Sequence, residues 1–191
     1  MKEIIDLGDT KYWYYNACVG TNGFVSNQLY FDGFVEATKQ LCVVVLTKDR
    51  FLADSLIYPI IFSARHSIEL AIKIAFNKCL LINKDIRKKP LNGHNIEWLY
   101  NILKEYSVFN IHLLKALNEI ENSIPNTILQ IIKIDTSGET FRYRTDTNKN
   151  NHLDGILRHI NIRNIYIEYS EFCERIDDFL FSLDNYLECI E

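Results

Sequence analysis

The strongest constraint on this chain lies at its C-terminus, where Ile162, Ile165, Tyr169, Phe172, Ile176, Phe179, Leu183, Tyr186 and Ile190 recur three and four residues apart. A helix gathers that spacing into one apolar stripe, and a stripe sustained over about four heptads is the seam of a bundle or coiled coil. At 1.5 Å per residue such a helix is roughly 40 Å long, so other elements must line up along it. The rest of the chain agrees with a helical answer. Seven Gly and three Pro in 191 residues leave little of the turn chemistry that a many-stranded β protein requires. With 48% hydrophobic residues, 191 positions support one well-buried core rather than two. We therefore expect a single all-α domain over 1–191, an up-and-down helical bundle. The seam is longer than one small bundle needs, which predicts a homodimer through the C-terminal helix or through a second face.

The formal net charge of -4 provides no general basic field, so contact with nucleic acid would need a local patch. Cys18, Cys42, Cys79, Cys173 and Cys189 are too scattered for a zinc knuckle or a redox pair, and read as buried thiols in a reducing cytosol. The N-terminus lacks the apolar core of a signal peptide, and no segment approaches the roughly 20 apolar residues needed to cross a bilayer. A cytoplasmic protein without membrane attachment is the expectation.

Along the chain, residues 1–28 are aromatic and punctuated by Gly and Asn, an irregular cap in which Trp13, Tyr14, Tyr15 and Phe24 cover a neighbouring surface. Residues 29–46 have helical spacing at Phe34, Ala37, Leu41, Val44 and Val45, although the β-branched run Val43-Val44-Val45 leaves a strand open. Asp49 caps the next helix, which Pro59 should kink or restart. Residues 78–90 form a basic connector. After Gly93, helical spacing resumes at Ile96, Leu99, Leu103 and Tyr106, which places His94 near a helix N-terminus. A short helix through Leu113, Leu114, Leu117 and Ile120 stops by Pro125, and 126–134 is ambiguous between helix and strand. Residues 135–151 lose periodicity and form a loop or small hairpin; loops this long in compact domains are often functional.

Three polar clusters carry the candidate chemistry. In 58–77, Arg65, His66, Glu69 and Lys73 share one arc of a helix whose opposite arc holds Ile61, Ala64, Ile68, Ile72 and Ala75. The ordinary reading is a solvated salt-bridge ladder worth a few tenths of a kcal/mol per pair. The functional reading takes His66 as a proton carrier near neutral pH and Arg65 as a fixed positive charge that holds a phosphate bidentately. His94 either bonds backbone and packs between helices, or meets the Arg65/His66 strip; Arg87, a few residues earlier, makes a second Arg/His pattern. In the Phe141-Arg142-Tyr143-Arg144 stretch, an extended backbone would put both arginines on one side and both aromatics on the other. That equips the segment to bind single-stranded RNA or a nucleotide, unless Arg142 simply pairs with Asp135 or Glu139. Asp135, Glu139 and Asp146 match no calcium loop, and the chain has no Gly-rich phosphate loop, nucleophile elbow, Cys pairs or zinc-spaced histidines. No metal and no cofactor is therefore expected. Arg65, His66, His94 and Arg142 are the catalytic candidates, and Glu69, Lys73, Glu139, Tyr143 and Arg144 the substrate-binding ones.

These residues also carry a resemblance. The stretch Ala64 to Phe76, ARHSIELAIKIAF, followed by GHNIEWLYNIL from Gly93 to Leu103, is similar to the HEPN superfamily of nucleotide-binding helical bundles. It is closest to bacterial members with a Tyr-Pro, Phe, Arg-His, Glu-Leu and Lys helix and a downstream Phe-Arg-Tyr segment. The likeness covers 52–103 and 135–146. It implies a helical bundle, usually a homodimer, often encoded with toxin–antitoxin or phage-defence genes. Many members are metal-independent endoribonucleases with Arg and His four to six residues apart on a late helix. Here Arg163-Asn164 matches that start, but Glu168 stands where the His would be. The resemblance thus implies either an endoribonuclease or a non-catalytic module that binds a nucleotide or a partner protein such as an antitoxin.

Overall fold

The computed structural model describes residues 11, 14, 16–19, 26–84, 91–108 and 110–190. Ser26 opens helix α1 (Asn27–Val43), its hydroxyl accepting from the Leu29 amide at 3.2 Å. The β-branched run that left a strand open is helical, and it passes into a single π-type turn (Val44–Lys48). The reason is periodicity: Phe31, Val35, Cys42 and Val45 continue one buried face through the run, and burial outweighs the small propensity cost of valine. Asp49 accepts from the Phe51 amide at 2.9 Å and caps a short 3₁₀ turn (Arg50–Leu52). That turn leads straight into α2 (Ala53–Ile82).

Pro59 lies inside α2, and the helix does not restart there. A proline near the start of a helix removes one backbone bond, and the buried Ile60, Ile61, Ala64 and Ile68 on the following turns hold the segment helical. The helix also runs further than expected. Lys78 belongs to α2 rather than to a connector, because Cys79, Leu80 and Ile82 still face the core. Residues 85–90, with Arg87, lie outside the described residues, as do Trp13, Tyr15 and Phe24 of the expected cap. Tyr14 is exposed.

Asn95 caps α3 (Ile96–Ser107), accepting from the Trp98 amide at 2.8 Å. Asn110 caps α4 (Ile111–Asn122) through the amides of His112 and Leu113. The ambiguous 126–134 segment is a helix, α5 (Asn126–Ile134), which begins after Pro125 and buries Ile128 and Ile131. The long helix α6 (Ile162–Ile190) completes a bundle of six α-helices, with no strand among the described residues. The aperiodic segment between α5 and α6 is a loop whose one ladder contact is an isolated antiparallel bridge between Thr145 and Asn151. No described helix is long and apolar enough to cross a membrane.

Helix α2 packs on α1, α3 and α6, and α6 also packs on α1, α4 and α5. The seam is therefore internal: Ile162, Ile165, Tyr169, Phe172, Ile176, Phe179 and Leu183 are all buried, and only near the helix end does Tyr186 become exposed. The Tyr169 hydroxyl meets Ser67 Oγ at 2.5 Å and pins α6 to α2. Burial also holds that phenol well above its ordinary pKa, so it stays neutral. Cys42, Cys79 and Cys173 are buried as expected, but Cys18 and Cys189 are exposed. Cys189 lies beyond Leu183, the last fully buried residue of the seam.

Because Phe172 and Phe179 are buried among the chain's own helices, replacing both with Ala should cost roughly 3–5 kcal/mol each. That is comparable with the whole stability of a domain. The expected outcome is loss of helical circular dichroism and of a cooperative melt. A folded, monodisperse double variant would show instead that the seam is peripheral.

Candidate functional site

On α2, Tyr58, Phe62, Arg65, His66, Glu69 and Lys73 fall within an arc of roughly 100°. The centre of this row is not a solvated ladder. Arg65 and Glu69 are each 2% exposed, because the 135–138 turn and the segment before α3 close over them. Arg65 is responsible for that closure. Its Nε donates to the Asp135 carbonyl at 2.8 Å and lies 3.6 Å from Asp135 Oδ2. Its Nη1 is 3.1 Å from Glu69 Oε2, and its Nη2 donates to the carbonyls of His94 and Thr136. One guanidinium thus ties three separate stretches of chain together.

The turn is shaped to admit it. Gly138 has φ +82°, and a Cβ there would stand 2.8 Å from Arg65 Nη1 and 3.2 Å from Cζ. Only glycine tolerates both the backbone and the approach. Asp135 Oδ1 accepts from the Thr140 amide at 3.1 Å, while its Oδ2 is buried without a hydrogen bond and has the Arg65 charge beside it.

Glu69 is the hub. Its Oε1 accepts from Lys73 Nζ at 2.7 Å and from His94 Nδ1 at 3.0 Å, and its Oε2 faces Arg65 and, at 4.0 Å, His66 Nδ1. Burial raises its pKa, but the Lys73 and His94 contacts more than reverse this and leave the carboxyl below its usual value. Glu69 is therefore ionised at neutral pH. It follows that His94 Nδ1 donates to it, and the His94 side chain is otherwise 65% exposed. His66 occupies an aromatic sleeve, 4.6 Å edge-on to Phe34 and 5.8 Å stacked on Phe62 between ring centroids. That burial lowers its pKa from 6.5; Glu69 opposes the shift, while Lys73, Arg65 and His94 reinforce it. His66 is neutral at physiological pH.

The Phe141-to-Arg144 stretch is a turn rather than an extended strand. Both the Arg142 and Tyr143 amides donate to the Glu139 carbonyl at 3.0 Å. Phe141 is buried while Arg142, Tyr143 and Arg144 are exposed together, so the expected division of arginines from aromatics does not occur. Arg142 lies over the Phe62 ring at 5.3 Å and over Tyr143 at 5.2 Å, and donates to the Tyr143 hydroxyl at 3.2 Å. Among the described residues it forms no ion pair with Asp135 or Glu139. Arg65, His66, His94 and Arg142 do gather: Glu69 links the first three, and Phe62 links Arg142 to His66. The Glu139 side chain is exposed beside this group.

Asp146 is elsewhere, at the loop tip. Bonds from the Asn150 side chain and amide and from the Asn148 amide hold its carboxyl below the usual range. Glu168 takes a structural part, accepting from the Thr127 amide at 3.1 Å at the start of α5. Several members of the cluster were missed. Phe62 was visible four residues before His66, and Gly138 stands among polar residues. Phe34 gave no signal, because only the packing of α1 on α2 brings it to His66. Comparison with known protein families, with curated proteins and with solved structures gives no match.

The clasp makes a stability prediction. Arg65→Met removes the countercharge of two buried carboxylates and should cost roughly 3–5 kcal/mol. Gly138→Ala should also destabilise, because it presses on the same guanidinium. Thermal denaturation checks both, and wild-type melting of Arg65→Met would refute the structural role.

Proposed function

We propose that the chain is a HEPN-like protein that binds single-stranded RNA along the α2 row and the 139–144 turn and cleaves it without a metal ion. The observation that carries this reading is a pair of histidines at one buried carboxylate, His94 bonded to Glu69 Oε1 at 3.0 Å and His66 standing 4.0 Å from Oε2. His66, neutral and sheltered, accepts the ribose 2′-hydroxyl proton as the 2′-oxygen forms its bond to phosphorus. His94 Nε2 delivers a proton to the 5′-oxygen as the P–O5′ bond breaks, leaving a 2′,3′-cyclic phosphate. Lys73 and Arg142 offset charge on the phosphorane, Tyr143 stacks on a base, and Glu139 and Arg144 border the strand. Glu69 and Arg65 position these groups. A bacterial toxin–antitoxin or phage-defence setting, and a homodimer, belong to the same proposal.

One observation favours the second reading, a non-catalytic module that binds a nucleotide or a partner protein. Arg65 is buried and all three of its nitrogens are bonded within the chain, which leaves the exposed Arg142 and Arg144 of the neighbouring turn open to a phosphate. RNA incubation separates the two. Cleavage should persist in excess chelator and yield a cyclic or 3′-phosphate end, and His66→Ala or His94→Ala should each slow it by roughly 10²- to 10⁴-fold. Loss in chelator that magnesium restores would contradict the mechanism, and absence of cleavage on every RNA would leave the binding module.

The pH dependence has a definite sign. The active form of His66 is the neutral one, and its folded pKa lies below 6.5. The rate should therefore hold through pH 6.5 and fall on the acid side, as protonation removes the base. The same shift makes the fold bind fewer protons than the unfolded chain, so stability is complete above 6.5 and declines below it. His66→Gln should flatten that part of the stability profile. An acid limb centred above 6.5 would remove His66 as the base. Light scattering tests the assembly, where a mass of 22.4 kDa at micromolar concentration would exclude the dimer.

A further inference from the structure

Between the start of α2 and the 140–154 loop lies a pocket of about 460 Å³ whose walls include Tyr58, Arg142, Tyr143, Arg144, Asn151 and Asp154, with Phe141 and Leu153 among the rest. Its volume falls in the range of small-ligand sites, roughly 300–1,000 Å³, and its lining is unusual in combining two exposed phenols, two guanidiniums and a carboxylate–amide pair. The frame is fixed. The His152 amide donates to the Arg144 carbonyl at 3.2 Å, Thr145 and Asn151 form the bridge, and Asp146 gathers the tip between them. Arg144 and Asn151 are thereby held across a narrow loop from each other.

The recognition chemistry follows from one hydrogen bond. Asn151 Nδ2 donates to Asp154 Oδ2 at 2.7 Å, which orients the carboxylate and leaves the remaining Asp154 oxygen and the Asn151 carbonyl oxygen as neighbouring acceptors. A base edge suited to two acceptors must present two adjacent N–H donors. Guanine does so with N1–H and its N2 amino group. Adenine and cytosine place a bare ring nitrogen next to their amino group, and uracil sets one N–H between two carbonyls. Each of those would turn a lone pair toward an acceptor and forgo one of the two hydrogen bonds that guanine makes. The phenols of Tyr58 and Tyr143 offer stacking faces, and the arginines offer donors to a phosphate.

We propose that this pocket is a guanine-selective nucleotide subsite that seats one residue of a single-stranded RNA and sets the register for reaction at a neighbouring phosphate. Tyr58 and His66 lie eight residues apart on the same helical row, a separation of about 12 Å, so the seated base is not the one at the scissile bond. The subsite rests on the RNA reading for its purpose, but its selectivity is measurable without cleavage.

Calorimetric titration of the full chain with GMP, AMP, CMP and UMP is the test. GMP should bind roughly tenfold tighter than the other three. Asp154→Ala should erase that preference, and Tyr143→Ala should weaken all four by roughly tenfold. Both side chains are exposed, so circular dichroism should show an intact fold. Equal binding of the four nucleotides, or an unchanged preference in Asp154→Ala, would overturn the subsite. Oligonucleotides separate it from the reaction. Cleavage that is equally fast with and without guanine would remove the subsite and leave the nuclease, whereas selective GMP binding without cleavage of any RNA would support the subsite and remove the nuclease.

Discussion

A carboxylate with 2% exposure dictates the arrangement of this end of the bundle. Removing an ion from water costs several kcal/mol even after relaxation, and Coulomb attraction offsets this only when the geometry is close and the remaining lone pairs are filled. Glu69 meets that requirement with Arg65, Lys73 and His94. Arg65 must in turn be balanced, since Glu69 is already shared with Lys73, and Asp135 provides the second anion. The 135–138 turn is held to α2 by that demand, and Gly138 is the residue that lets it come close enough. His94 is placed by the same interaction, through both its ring and its carbonyl. The site is therefore a consequence of burying one charge on a helix and neutralising it with segments remote in sequence.

This explains which parts of the fold could be read from residues alone. Regular burial is periodic, so the α6 seam, the apolar arc of α2, the cap at Asp49 and the start of α3 near His94 were legible from spacing and side-chain type. The ambiguous stretches, Val43-Val44-Val45 and 126–134, were settled by which neighbours they pack against, a tertiary property that propensity only weakly anticipates. Pro59 does not restart the helix for a related reason, because its local cost is set against the burial of a 30-residue helix. The acidic residues of 135–146 divide between a buried ion pair at Asp135, an exposed side chain at Glu139 and a hydrogen-bonded tip at Asp146. Spacing along a loop carries no information about which side of it faces the core.

The polar strip illustrates the same limit from the other side. That Arg65, His66, Glu69 and Lys73 share an arc follows from helix geometry, but whether the arc is wet or dry depends on what covers it. The cover makes neighbours unequal. Arg65, which looked like the group that would hold a phosphate, is as enclosed as Glu69, while Arg142 remains exposed on an aromatic platform of Phe62 and Tyr143. Roles within a cluster thus follow exposure and free donors more closely than residue type.

The two histidines are differentiated by the same physics. Both approach Glu69, yet His66 is enclosed by Phe34 and Phe62 and surrounded by Lys73 and Arg65, so the charged form is disfavoured by desolvation and by like charge together. His94 stands largely in solvent with its Nδ1 proton fixed on the carboxylate. A proton arriving at this pair meets one imidazole that resists charge and one whose outer nitrogen is open to water. An acid–base couple requires that asymmetry, since two equivalent histidines would compete for the same proton state. The asymmetry depends on α1 lying across α2, because Phe34 is the ring that closes the sleeve. Displacing Phe34 would expose more of the His66 ring without touching any hydrogen bond of the Glu69 network, so the packing of α1 contributes to the desolvation that lowers the pKa of a residue on α2.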